Sequence, residues 1–257
     1  MPSPLYRSDA DRFVPGVLTV GPWSPDAQHG GPVSALLAGA VESVPAPVPM
    51  QVVRLTVELL RPVPLLPLTV TTSVTRPGKK VQLVDASLTA DGTEVARARG
   101  LRIRVADVDV PEQEASPPSP GLPTPDSGRD HGPRRTAFAD ALDLRFVKGS
   151  WDELGPVTLW SRLLVPVVDV ETPSQLQRVV AAADFGNGVS RIVDFDSHVF
   201  INADLTVALS RLPAGDWIGF DVVTRLSGHG YGQAESLIFD AEGPVGRAIQ
   251  SLFVDRR

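Results

Sequence analysis

Short apolar runs separated by turn-forming residues dominate the C-terminal quarter of the chain. The turns are rich in Gly, Pro and Asp, as at residues 213–216, 227–232 and 241–244. Runs of about four to eight residues bounded by such turns are typical of antiparallel strands joined by hairpins. We therefore predict five consecutive strands in this region. Their apolar cores are residues 199–201, 205–209, 217–223, 236–239 and 248–253.

A similar pattern lies 150 residues earlier in the chain. Residues 55–57 and 205–207 both read Leu-Thr-Val, and Arg61 and Arg211 follow at the same spacing. The alignment slips by one residue in the middle, near residue 82. Solenoid repeats have periods of roughly 20 to 50 residues, so this spacing indicates a single duplication, with a unit of roughly 120 residues.

The first unit begins with a predicted helix and continues as a predicted meander. Gly31 suits an N-cap, and Pro32 suits the first helical position. Residues 33–41 are small and apolar nearly all round, which indicates a buried helix. Residues 52–105 then alternate or run apolar between Pro-Gly and Asp-Gly turns, which predicts three or four strands. One or two opening strands are expected from residues 13–20 and Trp23.

The second unit repeats this order. Thr172 as N-cap, Pro173 at the first helical position and Gln175 predict a capping box. The helix is expected over residues 176–183, after a strand over residues 157–165. The Gly-rich residues 184–188 end it.

A segment rich in Pro, Ser and acidic residues separates the two units. It has the composition of an extended, partly disordered surface linker. The predicted organisation is therefore an N-terminal unit over 1–106, a linker over 107–136 and a C-terminal unit over 137–257.

Composition narrows the classes of function. The net charge of −6 argues against a nucleic-acid partner. The chain has no cysteine, which excludes disulfides, thiolate metal sites and a cysteine nucleophile, and suits a cytoplasmic protein. No secretory signal is visible, and no apolar run approaches the ~20 residues of a membrane span. No metal is expected, because the histidines have no ligand spacing; they are His29, His131, His198 and His229.

Several segments together resemble the acyl-CoA thioesterase II-like (TesB-like) family. They read HGGPVSALLAGAVE, LTVELLRPVP, ADFGNGVS, NADLTVALSR, PAGDWIGFDVVT and GRAIQSLFV. The resemblance implies an α+β double hotdog, in which two tandem antiparallel sheets each wrap round a central helix. It also implies hydrolysis of an acyl-CoA substrate by an activated water, without a cofactor. Because hotdog sheets leave edge strands open, we expect a homodimer of double hotdogs.

The resemblance also implies which residues are catalytic. In the family an Asp, a Gln and a hydroxyl from the C-terminal unit hold the attacking water. These match Asp204, Gln250 and, as the nearest hydroxyl, Ser227. Asp184 matches a further family Asp at the end of the second helix, where we expect a structural turn.

The residues themselves support the first two assignments. Asp204 lies in an apolar segment, where a carboxylate must be hydrogen-bonded or functional. Gln250 lies in an apolar strand, where an amide can both donate and accept hydrogen bonds. In the first unit these positions are Arg54 and Gly100, so the pair exists in one unit only.

The start of the first helix supplies a candidate oxyanion site. His29, Gly30 and Gly31 open that helix, and backbone N–H groups at a helix N-terminus can hold a developing negative charge. Glycine also lets a substrate approach closely. We expect the acyl chain in an apolar tunnel between the two helices, near Leu36, Val180 and Trp217.

Two other functions compete with the thioesterase. The chain could bind acyl-CoA or another apolar ligand without turnover, since the family hydroxyl has no clear counterpart. A hotdog dehydratase or hydratase is disfavoured because its Asp-and-His loop motif is absent. Geometry discriminates: Asp204 and Gln250 must converge on one water beside the first helix if the pair is catalytic.

Overall fold

The computed structural model describes residues 3–111, 119–124, 136–169 and 171–257. Its helices are α1 (Gly30–Ser43), α2 (Gln175–Ala183) and the short α3 (Gly186–Val189). The strands of the first half are β1 (Tyr6–Asp9), β2 (Arg12–Pro15), β3 (Met50–Leu59), β4 (Leu68–Arg76), β5 (Val81–Ala90) and β6 (Thr93–Arg104). Those of the second half are β7 (Leu142–Lys148), β8 (Val157–Leu163), β9 (His198–Asn202), β10 (Asp204–Leu209), β11 (Ile218–Leu226), β12 (Tyr231–Asp240) and β13 (Gly243–Arg256).

These strands form one 13-stranded antiparallel sheet whose order is symmetric. The order is β1-β2-β4-β5-β6-β3-β10-β13-β12-β11-β8-β7, with β9 paired to β13. Strands β4, β5 and β6 begin 150 residues before β11, β12 and β13 and lie at mirrored positions. The predicted meanders are confirmed. The predicted one-residue slip is wrong, because the paired strands start at the same spacing.

The two halves join through β3 and β10. Thr56 pairs with Thr206, its counterpart in the repeat, and their hydroxyls lie 3.1 Å apart. The sheet's local symmetry axis therefore passes through this pair. A row of β-sheet hydrogen bonds continues from one half into the other without an exposed edge between them.

Helices α1 and α2 pack against each other in opposite directions. Gln177 Nε2 donates to Ala35 O at 3.2 Å, and Ser174 Oγ donates to Glu42 Oε2 at 2.6 Å. Helix α1 also contacts β3 to β6, and α2 contacts β8, β10 and β11. The antiparallel arrangement brings the N-terminus of α1 to the C-terminus of α2. Because both helices lie between the sheet and each other, their small apolar residues are buried.

The helix starts differ from the predicted ones. Helix α1 begins at Gly30, and its N-cap is His29, whose Nδ1 lies 3.0 Å from the Gly31 nitrogen. Helix α2 is capped by Ser174, which forms a capping box with Gln177. The predicted caps at Gly31 and Thr172 are therefore wrong, because the side chains that reach the free N–H groups lie at neighbouring positions.

Pattern reasoning also missed or misplaced three short elements. Strands β1 and β7 were not predicted, and the expected strand over residues 13–20 is β2 followed by a 3₁₀ turn at Val17–Thr19. The predicted disordered linker falls partly on residues 112–118 and 125–135, which lie outside the described residues. Within its described part, Gly121 O accepts a hydrogen bond from Trp160 Nε1.

One end of the sheet is covered by the chain itself. Leu5 N–H donates to Pro166 O at 2.9 Å, and Tyr6 N–H donates to Val167 O at 2.8 Å. Asp169 N–H returns a bond to Tyr6 O at 3.1 Å. The segment after β8 therefore lies along β1, whereas β7, at the other end of the sheet order, pairs only with β8 among the described residues.

A buried ion pair closes the β12–β13 hairpin. The Asp240 carboxylate is fully buried and accepts two hydrogen bonds from Arg211, both at 2.6 Å. It also accepts from the backbone N–H groups of Ala214 and Glu242, each at 2.8 Å. Burial alone would raise the pKa of Asp240, but the hydrogen bonds from Arg211 and the two amides outweigh it and hold the pKa below its ordinary value.

Replacing this carboxylate should destabilise the fold. We expect Asp240→Asn to lower the free energy of unfolding at pH 7 by about 3 kcal/mol, because Arg211 loses its buried partner. The folded-state pKa lies below the unfolded value, so the carboxylate's contribution is complete above the unfolded pKa of about 4 and is lost as pH falls through the folded pKa. The difference from wild type in urea unfolding should be constant between about pH 7 and 5 and shrink below about pH 4.

The matched control for this prediction is Asp9→Asn. Asp9 forms an exposed ion pair with Arg12 at 3.1 Å, and such pairs contribute about 0–1 kcal/mol. An equal loss of stability in both variants would contradict the assigned role of Asp240.

Candidate active site

A cavity of about 330 Å³ lies where the start of α1 meets the end of α2. Its walls are mostly aromatic and aliphatic. They include Pro22, Trp23, Leu59, Pro62, Val63, Trp151, Phe185, Phe195, Ile201 and Phe253. Four polar side chains of the lining lie next to the helix ends: His29, Asp184, Asn187 and Asn202. Other polar side chains of the lining are Ser24, Gln28, Arg61 and Thr136. The cavity therefore combines a mostly apolar wall with a polar group at the helix ends.

Asp184 is the centre of this polar site. Its side chain is 1% exposed, and Oδ1 accepts from Asn202 Nδ2 at 2.7 Å and from Gln250 Nε2 at 3.3 Å. Oδ2 lies 2.9 Å from His29 Nδ1. The carboxylate also lies against Gly30, where an added Cβ would be 2.6 Å from Oδ2. Only glycine permits this approach of the carboxylate to the start of α1.

Gln250 supports Asp184 from the side away from the cavity. Gln250 is 2% exposed, and its Oε1 accepts from the Asn187 N–H at 3.0 Å. Its Nε2 donates to the Asp184 carbonyl at 3.2 Å as well as to the carboxylate. The amide thus uses its acceptor and both donor directions to fix the turn after α2 and the carboxylate together.

Asn202 reaches the site because a strand is interrupted beside it. Strands β9 and β10 are separated at Ala203, the position that corresponds to Val53, where β3 has a bulge in its pairing with β6. Asn202 Nδ2 bonds both Asp184 Oδ1 and, at 3.2 Å, the Asp204 carbonyl. A bulge or break of this kind redirects a side chain relative to the regular alternation of the strand.

The imidazole of His29 has two competing contacts on one nitrogen. Nδ1 lies 3.0 Å from the Gly31 nitrogen and 2.9 Å from Asp184 Oδ2. A nitrogen that carries hydrogen donates to Asp184 and leaves the Gly31 N–H without this acceptor. A nitrogen that carries a lone pair accepts from Gly31 but faces the carboxylate oxygen. With an anionic carboxylate, the form with hydrogen on Nδ1 is favoured electrostatically.

The sequence-predicted pair Asp204 and Gln250 does not converge. Leu205 and Val207 are buried, so Asp204, one residue before Leu205, lies on the opposite, outer face of β10. Its Oδ1 accepts from the Ser251 N–H at 2.6 Å, and it does not line the cavity. The expectation that Asp204 and Gln250 hold one water is therefore not met. The carboxylate that lies beside Gln250 at the cavity is that of Asp184, which was expected to form a structural turn.

Ser227 also lies away from the cavity. It begins the turn between β11 and β12, where its Oγ accepts from the His229 N–H at 3.0 Å and its N–H donates to Tyr231 O at 2.8 Å. This local network accounts for the hydroxyl. Ser227 has no contact with Asp184 among the described residues.

The predicted acyl tunnel does not coincide with this cavity, because none of Leu36, Val180 and Trp217 lines it. Leu36 and Val180 are 3% and 0% exposed and belong to the packed core. Trp217 packs on the guanidinium of Arg162, whose Cζ lies 4.6 Å from the ring centre. The aromatic wall near Trp23 and Phe195 lines the cavity instead.

Over residues 3–111, 119–124, 136–169 and 171–257 no group of three or more His, Cys, Asp or Glu side chains could hold a metal ion. His131 lies outside these residues. In the same part of the chain, no helix has the length and apolar character needed to cross a membrane.

Structural comparison identifies the fold. A protein with a hot dog fold from Alicyclobacillus acidocaldarius superimposes with a TM-score of 0.74 at 18% identity, over 98% of this chain and 95% of that chain. The TesB protein of Mycobacterium avium subsp. paratuberculosis gives a TM-score of 0.70 at 17% identity, over 95% and 92%. Acyl-CoA thioesterase II TesB2 of Mycobacterium marinum gives 0.66 at 16%, over 94% and 96%. At these identities the likeness establishes a hotdog fold of the α+β class.

Sequence comparison identifies the family. No protein of curated function matches the sequence significantly. The model of the acyl-CoA thioesterase N-terminal domain matches residues 19–103, and that of the C-terminal domain matches residues 111–254. Together with the fold and the polar site at the helix ends, these matches show that the chain belongs to the TesB-like acyl-CoA thioesterase family.

Proposed function

We propose that this protein hydrolyses acyl-CoA to a free fatty acid and CoA, with Asp184 activating the water. The supporting observation is the buried Asp184 carboxylate at the cavity, held by Asn202, Gln250 and His29 beside the start of α1. A general base needs a fixed carboxylate at the place where the substrate carbonyl meets an amide donor. Family membership supports the same reaction.

The hydrogen-bond inventory of Asp184 indicates how a water would bind. A carboxylate has about four lone-pair directions. Asn202 and Gln250 occupy the two on Oδ1, and His29 occupies one on Oδ2. The remaining direction on Oδ2 has no donor among the described residues and suits a water donor. Asn202 and Gln250 then act as positioning residues that orient this lone pair toward the cavity.

The reaction balances without a cofactor. The water oxygen bonds to the thioester carbonyl carbon as Asp184 takes one of the water's protons. Collapse of the tetrahedral intermediate breaks the C–S bond, and the proton passes to the CoA thiolate. The negative charge on the carbonyl oxygen would be held by the amides of Gly30 and Gly31, the latter released when His29 Nδ1 donates to Asp184.

The duplicated sheet supports a finer description of the architecture. We propose two hotdog units, residues 1–106 and 137–257 joined by 107–136, that form a double hotdog. The symmetric strand order and the packing of α1 and α2 on their own halves support this division. The acyl chain would lie in the cavity against its aromatic wall.

The role of Asp184 is tested by matched carboxylate substitutions. Asp184→Asn should lower kcat/KM by about 10³, within the range of general acid–base catalysis, because the amide cannot take the proton. Asp204→Asn should stay within about twofold of wild type, since Asp204 lies outside the cavity. The measurement is thiol release from a panel of short to long acyl-CoAs, with melting temperatures as the folding control.

The outcomes separate the competing functions. Loss of activity in Asp204→Asn with retention in Asp184→Asn would overturn the assignment. Acyl-CoA binding without thiol release by the wild-type protein would instead favour the non-catalytic binding protein.

The tautomer of His29 provides a spectroscopic test. In ¹⁵N-labelled protein the ring of His29 should carry its hydrogen on Nδ1, because that nitrogen faces the Asp184 carboxylate. In Asp184→Asn the hydrogen should move to Nε2, because Nδ1 can then accept from the Gly31 N–H. The His29→Asn variant identifies the signal by its disappearance. A hydrogen on Nε2 in the wild-type protein would contradict the proposed release of the Gly31 amide.

We also propose that the protein forms a homodimer in the cytoplasm. Strand β7 ends the sheet order, and pairing of terminal strands is a common route to dimers. Light scattering at micromolar concentration should give about twice the chain mass of 27.4 kDa. A mass equal to that of one chain would contradict the dimer.

A further inference from the structure

Arg61 is the one cationic side chain that lines the cavity with no carboxylate partner in the described part of the chain. It follows β3 and lies beside Pro62 and Val63, which form part of the cavity wall. Apart from Asp184 and the titratable His29, the other described lining residues are uncharged at neutral pH. Arg61 is exposed, so its guanidinium can meet a ligand that enters from solvent.

The duplication shows what this arginine does in the other half. Leu60 N–H donates to Val95 O, and Ser210 N–H donates to Val245 O, so the backbone after β3 and after β10 is held in the same way. Arg61 and Arg211 directly follow these bonds. Arg211 is therefore the structural counterpart of Arg61.

The partner of Arg211 is missing in the first half. Arg211 is neutralised by Asp240, the last residue of β12. The last residue of the corresponding strand β5 is Ala90, which is buried and uncharged. The same arginine position is thus a structural ion pair in one half and an unpaired cation at the cavity in the other.

We infer that Arg61 binds a phosphate group on the carrier part of the thioester substrate. A guanidinium offers paired N–H donors that match phosphate oxygens, and it stays charged at any physiological pH. Apart from the polar group at Asp184, the rest of the cavity wall is mostly apolar, with the uncharged side chains of Ser24, Gln28 and Thr136, and it suits the acyl chain and the uncharged pantetheine arm. The inference rests on the proposed thioesterase function, and it assigns the anionic end of the substrate to the Arg61 side of the cavity.

Thioesters with the same acyl group and different carriers test this inference. The three carriers are CoA, 4′-phosphopantetheine and pantetheine, of which the last has no phosphate. Arg61→Gln should raise KM for the CoA thioester about tenfold, as expected for loss of a charge-assisted hydrogen bond, with kcat within about twofold. The pantetheine thioester should show no change, and Arg61→Lys should recover part of the loss.

The phosphopantetheine thioester distinguishes two sources of the phosphate. A rise in its KM would assign Arg61 to the phosphate that CoA shares with acyl-carrier proteins. No rise, with the CoA effect retained, would assign it to the phosphates of the nucleotide. Equal effects on all three thioesters, or no effect on any of them, would overturn the inference.

Arg104→Gln is the matched control. Arg104 is exposed and pairs with Met50, the first residue of β3. Arg61 follows the other end of β3, about 30 Å along the strand from Met50. It should behave as wild type with every carrier.

Calorimetric binding of free CoA and of pantetheine separates this inference from the proposed function. If the wild-type protein hydrolyses no thioester but Arg61→Gln still weakens CoA binding about tenfold, the catalytic proposal fails and the phosphate site stands. If hydrolysis requires Asp184 but wild type and Arg61→Gln bind CoA with the same affinity, the phosphate site fails and the catalytic proposal stands.

Discussion

The antiparallel contact between α1 and α2 determines where chemistry can occur in this protein. Each helix packs on the strands of its own half, and the β3–β10 pairing holds the two halves in register. The contact therefore produces two meeting points of helix ends, related by the symmetry of the sheet. At each point, the N–H groups at the start of one helix, which have no acceptor within that helix, meet the last turn of the other helix. This arrangement favours an acidic side chain.

The two meeting points differ because the second lacks a counterpart of Gln250. Where α1 starts, Asp184 is supported by Gln250 and Asn202. The counterpart of Gln250 is Gly100, where an added Cβ would lie 2.4 Å from Val41 Cγ1, so the core has filled the space. At that end Ser174 donates to Glu42. Burial raises the pKa of Glu42, although the Ser174 hydroxyl and Arg102 oppose the rise. That carboxylate joins the two packed helices and lines neither the cavity at Asp184 nor the small cavity beside Phe220.

The sheet was predictable because its signal is local, whereas the site was not. Alternating burial in β5 and β13 reproduces the period of two that the sequence displays. That same alternation argues against a catalytic role for Asp204, because Asp204 lies on the same outer face of β10 as Thr206 and Ala208. Asp184 lies 18 residues from Asn202 and 66 from Gln250, and only the folded chain joins them. The available signal was a carboxylate directly after the small apolar residues 179–183 that end a helix, close to glycines.

Two buried carboxylates show how the fold separates support from function. Asp240 has four donors, two of them from a guanidinium, so every lone-pair direction is used and the group has none left for a ligand. Asp184 has three donors, all from uncharged amides and an imidazole, and it faces a cavity. A saturated, ion-paired carboxylate resists exchange of partners, since breaking the pair leaves a buried charge. The incompletely bonded carboxylate can take a proton from a bound molecule, and this difference makes Asp184 the better candidate for catalysis.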